Sequence, residues 1–455
     1  MNYESNLRTR LDEFVAQGHL TAAEAEGAHD LFVQYHTSPP EPVDWASIQP
    51  MADDEYFAYS AIKPLTGTAL KEALSKVAIL KLNGGLGTSM GCTGPKTLIT
   101  VKNDMSFLEI IVRQVAAINK KHGVDVPLIF MNSFNTDEQT KEALSHIDVA
   151  SKLQIINFNQ AHFPRLDAET LLPLTDASPN EPSYWYPPGH GDVLRALIKE
   201  KLVDTLLAKG IEWVFISSGD NLGATIDDAI VSYLSTLKDI DFLSEQTPKT
   251  LRDVKGGVLT KYKGKIRLLE TAQVPKDHLD EFCDIKKFKS FNVNSVYVRL
   301  SALKRLDDSK TPIALDIIVN PKTVDGHRVI QLEQAVGAGI TFFKSQGLLV
   351  SRKRFIPVKK TSDLITVQSD VYSIDEMFIL TAECEPPTIE FGPTLEKMDG
   401  YTLAFDNGKT IPSLRGARTV KILGGCKMGP NVSIRGDYST TDDIAPVNCT
   451  LGNPN

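Results

Sequence analysis

Between residues 77 and 216, short apolar segments alternate with segments of helical periodicity. The apolar segments, typical of buried parallel strands, lie at residues 77–82, 128–131, 153–158 and 213–216. A helix is predicted after Ser106, where Glu109 completes a capping box, and another over residues 192–207. Strands and helices in this order require crossover connections, so the pattern predicts an α/β fold with helices on both faces of a sheet.

The sequence becomes richer in strands after Asp241. Residues 258–262 and 265–269 flank Lys263-Gly264, which is a plausible hairpin turn, and residues 291–298 read as a further strand. We therefore expect a mixed, mostly parallel, Rossmann-like sheet.

The N-terminal segment is predicted to be helical. Leu7 and Leu11 recur at helical spacing, and Thr21 with Glu24 has the form of a capping box that opens a second helix. Three prolines between residues 39 and 42 then end the helical pattern. This segment carries no pattern that points to chemistry.

The C-terminal region contains a repeat of six residues. Apolar side chains recur at this interval in two series, Val420, Cys426, Val432 and Ile422, Met428, Ile434. Hexapeptide periodicity is the signature of a parallel β-helix, and three units make a single coil. We thus predict a helical segment at residues 1–75, a central α/β domain at 76–385 and a β-rich domain with a short β-helix at 386–455.

Composition excludes several classes of protein. The chain has 49 Lys and Arg against 57 Asp and Glu, a net charge of −8, which does not fit a dedicated nucleic-acid binder. Its five cysteines include no C-x-x-C pair, which suggests reduced thiols. There is no basic segment followed by an apolar run at the N-terminus, and no stretch approaches the ~18 apolar residues of a membrane helix. We expect a soluble, cytoplasmic protein without nucleic-acid or membrane partners.

A glycine-rich loop at residues 82–96 is the strongest local signal for ligand binding. Its glycines, four within eight residues, are Gly84, Gly85, Gly87 and Gly91. Exposed backbone N–H groups in such a loop bind anions, and Lys96 at its end supplies a positive charge for phosphate. Neither common phosphate motif fits, because Pro95 interrupts the P-loop pattern and Met90 stands where a dinucleotide fingerprint needs glycine.

This loop resembles the nucleotide-binding signature of the eukaryotic-type UTP–glucose-1-phosphate uridylyltransferases, also called UDP-glucose pyrophosphorylases. Further segments resemble that family in its order, over roughly residues 78–372. They are Met131-Asn132-Ser133-Phe134, Asn157-Phe158-Asn159-Gln160, Tyr186-Pro187-Pro188-Gly189-His190-Gly191-Asp192, Ser218-Gly219-Asp220-Asn221-Leu222-Gly223-Ala224, Glu270-Thr271-Ala272-Gln273-Val274-Pro275, Phe291-Asn292-Val293-Asn294 and Pro357-Val358-Lys359-Lys360-Thr361-Ser362-Asp363. The resemblance implies a nucleotidyltransferase fold similar to GT-A, with UTP and glucose 1-phosphate as substrates.

The implied reaction gives UDP-glucose and pyrophosphate by in-line attack of the sugar phosphate on the α-phosphorus of UTP. Such an enzyme aligns two anions and neutralises charge, which lysines and a divalent cation can do. The resemblance makes Lys96 and Lys359 the catalytic lysines, both also in contact with UTP. Asp220 follows the predicted strand at 213–216 and is implied to bind both UTP and Mg²⁺.

The resemblance also implies how the rest of the substrates are bound. The uracil is expected to meet the backbone of Leu82, Asn83, Gly84 and Gly85, the side chain of Gln160, and Gly189 beneath the base. A glutamine amide both donates and accepts, as the imide edge of uracil requires. Met131 is expected near the nucleotide, although a methionine in the core of a strand is an equal interpretation.

The sugar phosphate is implied to contact Gly85 and His190, and the sugar hydroxyls to contact Asn292, Asn294 and Glu270. The two asparagines alternate with Val293, so their side chains should share one face of a strand.

Alternatives stay open from the sequence. They are a pyrophosphorylase for another sugar 1-phosphate, such as that of galactose or N-acetylglucosamine, a nicotinamide-dependent oxidoreductase, and a non-catalytic nucleotide-binding regulator. The C-terminal repeat is shorter than in eukaryotic members of the family, which leaves the existence and arrangement of a homo-oligomer open.

Overall fold

The computed structural model describes residues 2–174, 181–251 and 254–453. Its α-helices are α1 (Tyr3–Ala16), α2 (Ala22–Thr37), α3 (Gly67–Leu74), α4 (Phe107–His122), α5 (Asp137–Ser145), α6 (Val193–Lys199), α7 (Leu202–Ala208), α8 (Asp228–Leu234), α9 (Leu279–Cys283), α10 (Leu300–Asp308), α11 (Gly339–Phe342), α12 (Thr361–Gln368) and α13 (Met398–Ala404). Its strands are β1 (Ile48–Pro50), β2 (Phe57–Ala58), β3 (Val77–Leu82), β4 (Thr100–Lys102), β5 (Met105–Ser106), β6 (Leu128–Asn132), β7 (Ile155–Asn159), β8 (Phe163–Pro164), β9 (Leu166–Asp167), β10 (Trp185–Tyr186), β11 (Trp213–Ser218), β12 (Phe242–Pro248), β13 (Val258–Tyr262), β14 (Lys265–Leu269), β15 (Ser290–Arg299), β16 (Ile317–Val324), β17 (His327–Gln334), β18 (Ser345–Leu349), β19 (Tyr372–Ile374), β20 (Leu380–Ala382), β21 (Thr388–Phe391), β22 (Ser413–Ile422), β23 (Ser433–Thr440) and β24 (Thr450–Leu451).

The chain divides into two compact units. The first unit comprises Met1–Leu80, Phe158–Ile216 and Asp227–Ser351, and the second comprises Lys81–Asn157, Ser217–Ile226 and Arg352–Asn455. Strands β3, β7 and β11 have residues in both. The three domain ranges expected from the sequence stay a prediction.

The first unit contains a mixed sheet in the order β2-β18-β12-β15-β11-β3. Strands β12 and β18 are parallel, and β15 is antiparallel to both β11 and β12. The Glu212 N–H donates to the Lys76 carbonyl, and further along the chain, beyond the unit boundary, the Gly219 N–H donates to the Leu82 carbonyl. The acceptors follow one another in the same order as the donors, so β3 and β11 are parallel. The prediction of a mixed sheet in an α/β fold is confirmed.

The hairpin predicted around Lys263-Gly264 is present. Strands β13 and β14 pair antiparallel over their full length, and the two turn residues have φ values of 51° and 78°. Two successive positive φ values are those of a type I′ turn, whose twist matches that of the strands it connects.

Helices α1 and α2 form the predicted N-terminal pair. The capping box is present, because the Thr21 side chain accepts from the Glu24 N–H while Glu24 accepts from the Thr21 N–H at 3.0 Å. The helices bury their apolar side chains against aromatic residues of the same unit. This cluster includes Leu7, Leu11, Phe14, Leu31, Phe32, Phe163, Tyr184, Trp185 and Tyr186.

One predicted helix is two helices in the structure. Residues 192–207 read as a single helix in the sequence, but α6 ends at Lys199 and α7 begins at Leu202. Lys201 between them has a φ of 55°, a left-handed conformation that no α-helix continues through. The apolar periodicity runs across the break because both helices bury one face.

The second unit contains strands β6 and β7 beside the carboxyl end of β3. The Asn83 N–H, just after β3, donates to the Met131 carbonyl of β6 at 2.8 Å. Helix α4 begins with Ser106, whose side chain accepts from the Glu109 N–H at 3.1 Å, and its apolar face is buried.

The second unit also contains the parallel C-terminal sheet β21-β22-β23-β24. Ser413 and Ser433 pair at an interval of 20 residues and Ser433 and Thr450 at 17, but Val420 lies opposite Tyr438 and Cys426 forms a parallel bridge to Ile444, both at an interval of 18. This interval equals three hexapeptides, as one coil of a β-helix requires.

In the described part of the chain, no helix is both long and apolar enough to cross a membrane.

Candidate active site

The glycine-rich loop of the second unit folds back on itself directly after β3. Gly87 and Gly91 have φ values of 63° and 77°, which favour glycine because a Cβ strains the left-handed region. The Met90 N–H between them donates to the Gly87 carbonyl at 2.9 Å, and the Lys96 N–H donates to the Gly85 carbonyl at 3.1 Å. The loop thereby returns Lys96 to the carboxyl end of β3.

The side chain of Asn83 forms hydrogen bonds inside the second unit. Its amide nitrogen donates to Asn132 Oδ1 at 2.7 Å and to Thr140 Oγ1 at 2.9 Å, while its Oδ1 accepts from Thr97 Oγ1 at 2.5 Å. The side chain is buried. A ligand contact of Asn83 therefore has to come from its backbone, the group to which the resemblance assigns it.

The residues around Asn83 differ in accessibility. Leu82 and Gly84 are half-buried and Gly85 is exposed, so the loop backbone can be reached from solvent. Met131 is 1% exposed in β6, which favours the core interpretation of this side chain. Its contact with the nucleotide stays a prediction.

A close ion pair joins the end of the loop to the end of β11. Lys96 Nζ lies 2.5 Å from Asp220 Oδ2, and the side chains are 15% and 19% exposed. The second carboxylate oxygen of Asp220 accepts from Ser218 Oγ at 2.6 Å. Asp220 follows β11 by two residues, at the carboxyl edge of a parallel strand pair, which is where α/β sheets bind ligands.

Lys359 belongs to the same unit. The N–H groups of Lys359 and Lys360 both donate to Asp363 Oδ2, at 2.8 Å and 2.9 Å, and the Val358 N–H donates to the Asp220 carbonyl at 3.3 Å. The Lys359 side chain is exposed, and its ammonium has no hydrogen-bond or ion-pair partner among the described residues. The structure therefore brings Lys96, Asp220 and the backbone beside Lys359 together within the second unit.

Gly189 and His190 lie in the first unit against strand β17. Gly189 has a φ of 84°, and a Cβ there would lie 2.6 Å from the Gln334 carbonyl oxygen, so only glycine fits. The Val336 N–H donates to His190 Nδ1 at 3.2 Å. A ring nitrogen that accepts carries no proton, so in this arrangement the proton of a neutral His190 lies on Nε2, where it can be donated.

Asn292 and Asn294 lie close together in β15, but Asn294 has a φ of 55° and the pairing of β12 with β15 shifts register here, so the regular alternation of a strand does not explain their contact. Asn292 Nδ2 donates to Asn294 Oδ1 at 2.9 Å, and Gln246 Nε2 donates to Asn292 Oδ1 at 3.2 Å. The Asn292 N–H donates to the Gly257 carbonyl, and the Glu270 carboxylate lies directly against the same glycine. Glu270 and the two asparagines are therefore neighbours in the first unit.

Gln160 follows β7 in the first unit and is 7% exposed. Its Oε1 atom is buried and accepts no hydrogen bond from the residues that the structure describes. Buried acceptors without a partner are rare and costly, so this atom is suited to a ligand that donates.

Comparison with known proteins identifies the family. A family model described as UTP–glucose-1-phosphate uridylyltransferase matches residues 27–435. The chain belongs to this family. Curated relatives named UTP–glucose-1-phosphate uridylyltransferase include one from Hordeum vulgare, 43% identical over 94% of this chain and 91% of the relative, and one from Solanum tuberosum, 44% identical over 91% and 87%.

Solved structures agree with the uridylyltransferase family. A UDP-glucose pyrophosphorylase mutant from Leishmania major, crystallised in complex with UDP-glucose, has a TM-score of 0.85 at 28% identity and covers 98% of both chains. A protein from Trypanosoma brucei, described as a UDP-glucose phosphorylase, has a TM-score of 0.80 at 32% identity and covers 97% of this chain and 98% of its own. The resemblance noted in the sequence is thus confirmed, and the oxidoreductase and regulator alternatives lose their support.

Several residues of the candidate site were given no individual role from the sequence. Ser218 donates to Asp220 from two positions away, whereas Gln246 donates to Asn292, and Asn221 donates to the Arg354 carbonyl, across long stretches of sequence. Gln334 likewise meets Gly189 from a strand more than a hundred positions away. Without the resemblance, the Asp220-Asn221 pair would be interpreted as a common turn.

Cys92 lies within the uridylyltransferase loop. Burial raises the pKa of its thiol, and the positive charge of Lys96 only partly offsets this effect. A raised pKa leaves little thiolate at neutral pH, in agreement with a packing role.

Proposed function

We propose that this chain converts UTP and glucose 1-phosphate into UDP-glucose and pyrophosphate. The observation that carries this proposal is the family match over residues 27–435, supported by relatives of the same name at more than 40% identity. The five cysteines are free in the structure, which fits a reducing compartment, and we propose the cytoplasm.

The chemistry explains why the candidate residues include no activated nucleophile. The attacking oxygen of the sugar phosphate is already anionic, so it needs neither a nucleophilic side chain nor a strong base. It forms a bond to the α-phosphorus of UTP while the bond from that phosphorus to the leaving pyrophosphate breaks. The enzyme contributes alignment of the two anions and stabilisation of charge on the transferring and leaving groups.

We assign charge stabilisation to Lys96 and Lys359. The Lys96 ammonium is held by Asp220 at 2.5 Å on a loop of accessible backbone, so its position is fixed before a phosphate arrives. The Lys359 ammonium is exposed on a backbone held by Asp363, and it can turn toward a phosphate without breaking an ion pair. One fixed and one adjustable cation suit a group that moves during the reaction.

The donor set around Asp220 fits Mg²⁺. This ion usually binds through one or two carboxylates together with substrate phosphates, and Asp220 is a partly exposed carboxylate between Lys96 and Ser218. Asp220 would hold the ion, and the ion would add positive charge at the phosphate oxygens. Ser218 and Lys96 orient the carboxylate.

We assign recognition of the organic groups to the first unit and to the loop backbone. Gln160, with its buried acceptor, suits the N–H of the uracil imide, and Gly189 provides a flat backbone surface for the base. His190 can donate from Nε2 to a phosphate oxygen of the sugar. The side chains proposed for the sugar hydroxyls are Asn292, Asn294 and Glu270.

The test is a substrate panel. The protein is incubated with UTP and Mg²⁺ together with glucose, galactose or N-acetylglucosamine 1-phosphate, and pyrophosphate release is followed by a coupled assay. We expect the fastest release with glucose 1-phosphate and little when CTP replaces UTP. Faster release with another sugar phosphate would change the substrate, and no release with any of them would overturn the proposal.

A further inference from the structure

Asn221, the residue after Asp220, is buried and has hydrogen-bond partners on a distant segment of the second unit. Its side chain is 2% exposed. Its Oδ1 accepts from the Ile356 N–H at 2.8 Å and from the Gly223 N–H at 3.2 Å, and its Nδ2 donates to the Arg354 carbonyl at 3.2 Å. One amide thus joins the turn after β11 to the segment that precedes Lys359.

Further contacts on both sides of Asn221 hold the turn after β11 to the segment that precedes Lys359. Asn221 forms an antiparallel bridge with Pro357, and the Val358 N–H donates to the carbonyl of Asp220 at 3.3 Å. The buried Arg354 guanidinium donates back to the Thr225 carbonyl at 2.8 Å. The segment is therefore held to the turn along its length, up to the residue before Lys359.

We propose that Asn221 is the positioning residue that fixes Lys359 relative to Asp220 and Lys96, so that both ammonium groups reach the triphosphate of the bound nucleotide. This inference rests on the proposed function, since it concerns how the same phosphate groups are met. Asp363 fixes the backbone of Lys359 itself, because its carboxylate accepts from the N–H groups of Lys359 and Lys360. Only the Lys359 side chain is left to move.

An amide is required at position 221 because the surrounding backbone groups include both hydrogen-bond donors and an acceptor. Two N–H groups need an acceptor and one carbonyl needs a donor, and only a side chain with both functions satisfies all three. Aspartate keeps the acceptor but sets a carboxylate oxygen against the Arg354 carbonyl. Alanine removes all three side-chain hydrogen bonds of position 221 and leaves the segment held by its backbone contacts and by the hydrogen bond from Arg354 to Thr225.

The experiment measures whether Asn221 acts through Lys359. The variants are Asn221→Ala, Asn221→Asp, Lys359→Ala and the two combinations with Lys359→Ala, each measured for kcat, the KM of UTP and the melting temperature. We expect Asn221→Ala to lower kcat by about 10–100-fold, the size of a misplacement of about 1 Å, and Asn221→Asp to fall between it and wild type. In the Lys359→Ala background, either change should have less than about a twofold further effect, because the group that is positioned has been removed.

A matched control is Asn119→Ala, since Asn119 holds its own loop by accepting from the Val126 N–H and donating to the Val126 carbonyl. It should lower the melting temperature and leave kcat unchanged. Should Asn221→Ala fail to fold, Asn221→Asp, which keeps the acceptor, carries the same comparison.

Unchanged kcat in a folded Asn221 variant would overturn the inference, as would an equal fold-loss with and without Lys359. Failure of the proposed function looks different, because the wild type itself would release no pyrophosphate. In that case the affinity for UTP is measured instead of kcat. The Asn221 variants should then lower this affinity when Lys359 is present and have little further effect in the Lys359→Ala background.

Discussion

The ammonium of Lys96 lies 2.5 Å from the carboxylate of Asp220, although the two residues are 124 positions apart in the chain. Both side chains are less than one-fifth exposed, so solvent screens the pair only in part. The pair places one positive and one negative group at the end of the same parallel strands. Each can then meet a different partner, a phosphate for the lysine and a divalent cation for the aspartate.

Asp220→Asn tests the metal half of this arrangement. The amide keeps the shape of the side chain and loses the charge that a magnesium ion needs. We expect the Mg²⁺ titration of pyrophosphate release to shift to higher concentration, and kcat at saturating Mg²⁺ to fall by about 10²-fold. Asp148→Asn is the control, since that carboxylate is 73% exposed and pairs with Arg113. An unchanged metal titration in Asp220→Asn would remove the assignment.

Lys359→Ala and Lys360→Ala form a natural pair for the second lysine. Both residues are exposed, and both N–H groups donate to Asp363, so the two changes affect folding alike. We expect Lys359→Ala to lower kcat by about 10²–10³-fold, as the loss of one charge-stabilising group does, while Lys360→Ala stays near wild type. Steady-state rates of the two variants at saturating substrates measure this difference in kcat. Equal losses in the two variants would contradict a specific role for Lys359.

Sequence patterns predicted the parts of the fold that local chemistry determines. The Thr21–Glu24 capping box and the turn at Lys263-Gly264 are present, because each is built by neighbouring residues whose preferences agree with the final structure. The coil of the C-terminal sheet follows the hexapeptide interval for the same reason. Local periodicity did not reveal the break at Lys201, since the apolar face continues through it.

The candidate site was predictable from motifs only as a set of separate segments. The resemblance named Lys96, Asp220 and Lys359, yet no spacing rule says that the first two form an ion pair. The contacts of Asn221 with Arg354 and Ile356 join segments more than 130 positions apart. Such long-range contacts are set by the path of the whole chain, and no local pattern encodes them.

Asn83→Ala should affect stability more than substrate binding. The Asn83 side chain is buried and shared among Thr97, Asn132 and Thr140, so its loss leaves polar groups without partners. We expect a cost of about 2–3 kcal/mol, seen as a lower melting temperature and urea midpoint. The KM of UTP should change little at a temperature where the variant is folded, because the backbone is kept. A raised KM with unchanged stability would instead indicate a side-chain contact with UTP.

Gln160→Ala should affect substrate binding more than stability. The buried Oε1 atom of Gln160 accepts no hydrogen bond from the described residues, so removing it leaves no protein donor unpaired. We expect the melting temperature to be kept and the KM of UTP to rise about 10-fold, the value of one lost hydrogen bond of 1.4 kcal/mol. Discrimination against CTP should weaken as well. Gln331→Ala, another buried glutamine of the first unit, should leave both kinetic properties unchanged.

The Glu24–His162 pair of the first unit makes stability depend on pH. His162 Nδ1 lies 3.2 Å from Glu24 Oε1, and Nε2 lies 2.9 Å from the carbonyl of His19. Both ring nitrogens face acceptors, so the doubly protonated ring is favoured. Burial lowers the pKa of His162, but the hydrogen bond and charge of Glu24 outweigh it and raise the pKa above 6.5. Burial likewise raises the pKa of Glu24, and hydrogen bonds from His162 and Thr21 outweigh it and lower the pKa to about 2.

The sign of the effect follows from these directions. A histidine with a raised pKa contributes stability that is complete below its unfolded value near 6.5 and is lost as pH rises through the folded value. The contribution of Glu24 is lost only as pH falls toward 2, so measurements between pH 6 and 9 isolate His162. We expect the unfolding free energy of wild type, relative to His162→Gln, to fall by on the order of 1 kcal/mol across this range. Urea unfolding at each pH measures it, and His146→Gln, an exposed histidine, should follow wild type. Parallel curves for wild type and His162→Gln would show that the imidazolium does not stabilise the fold.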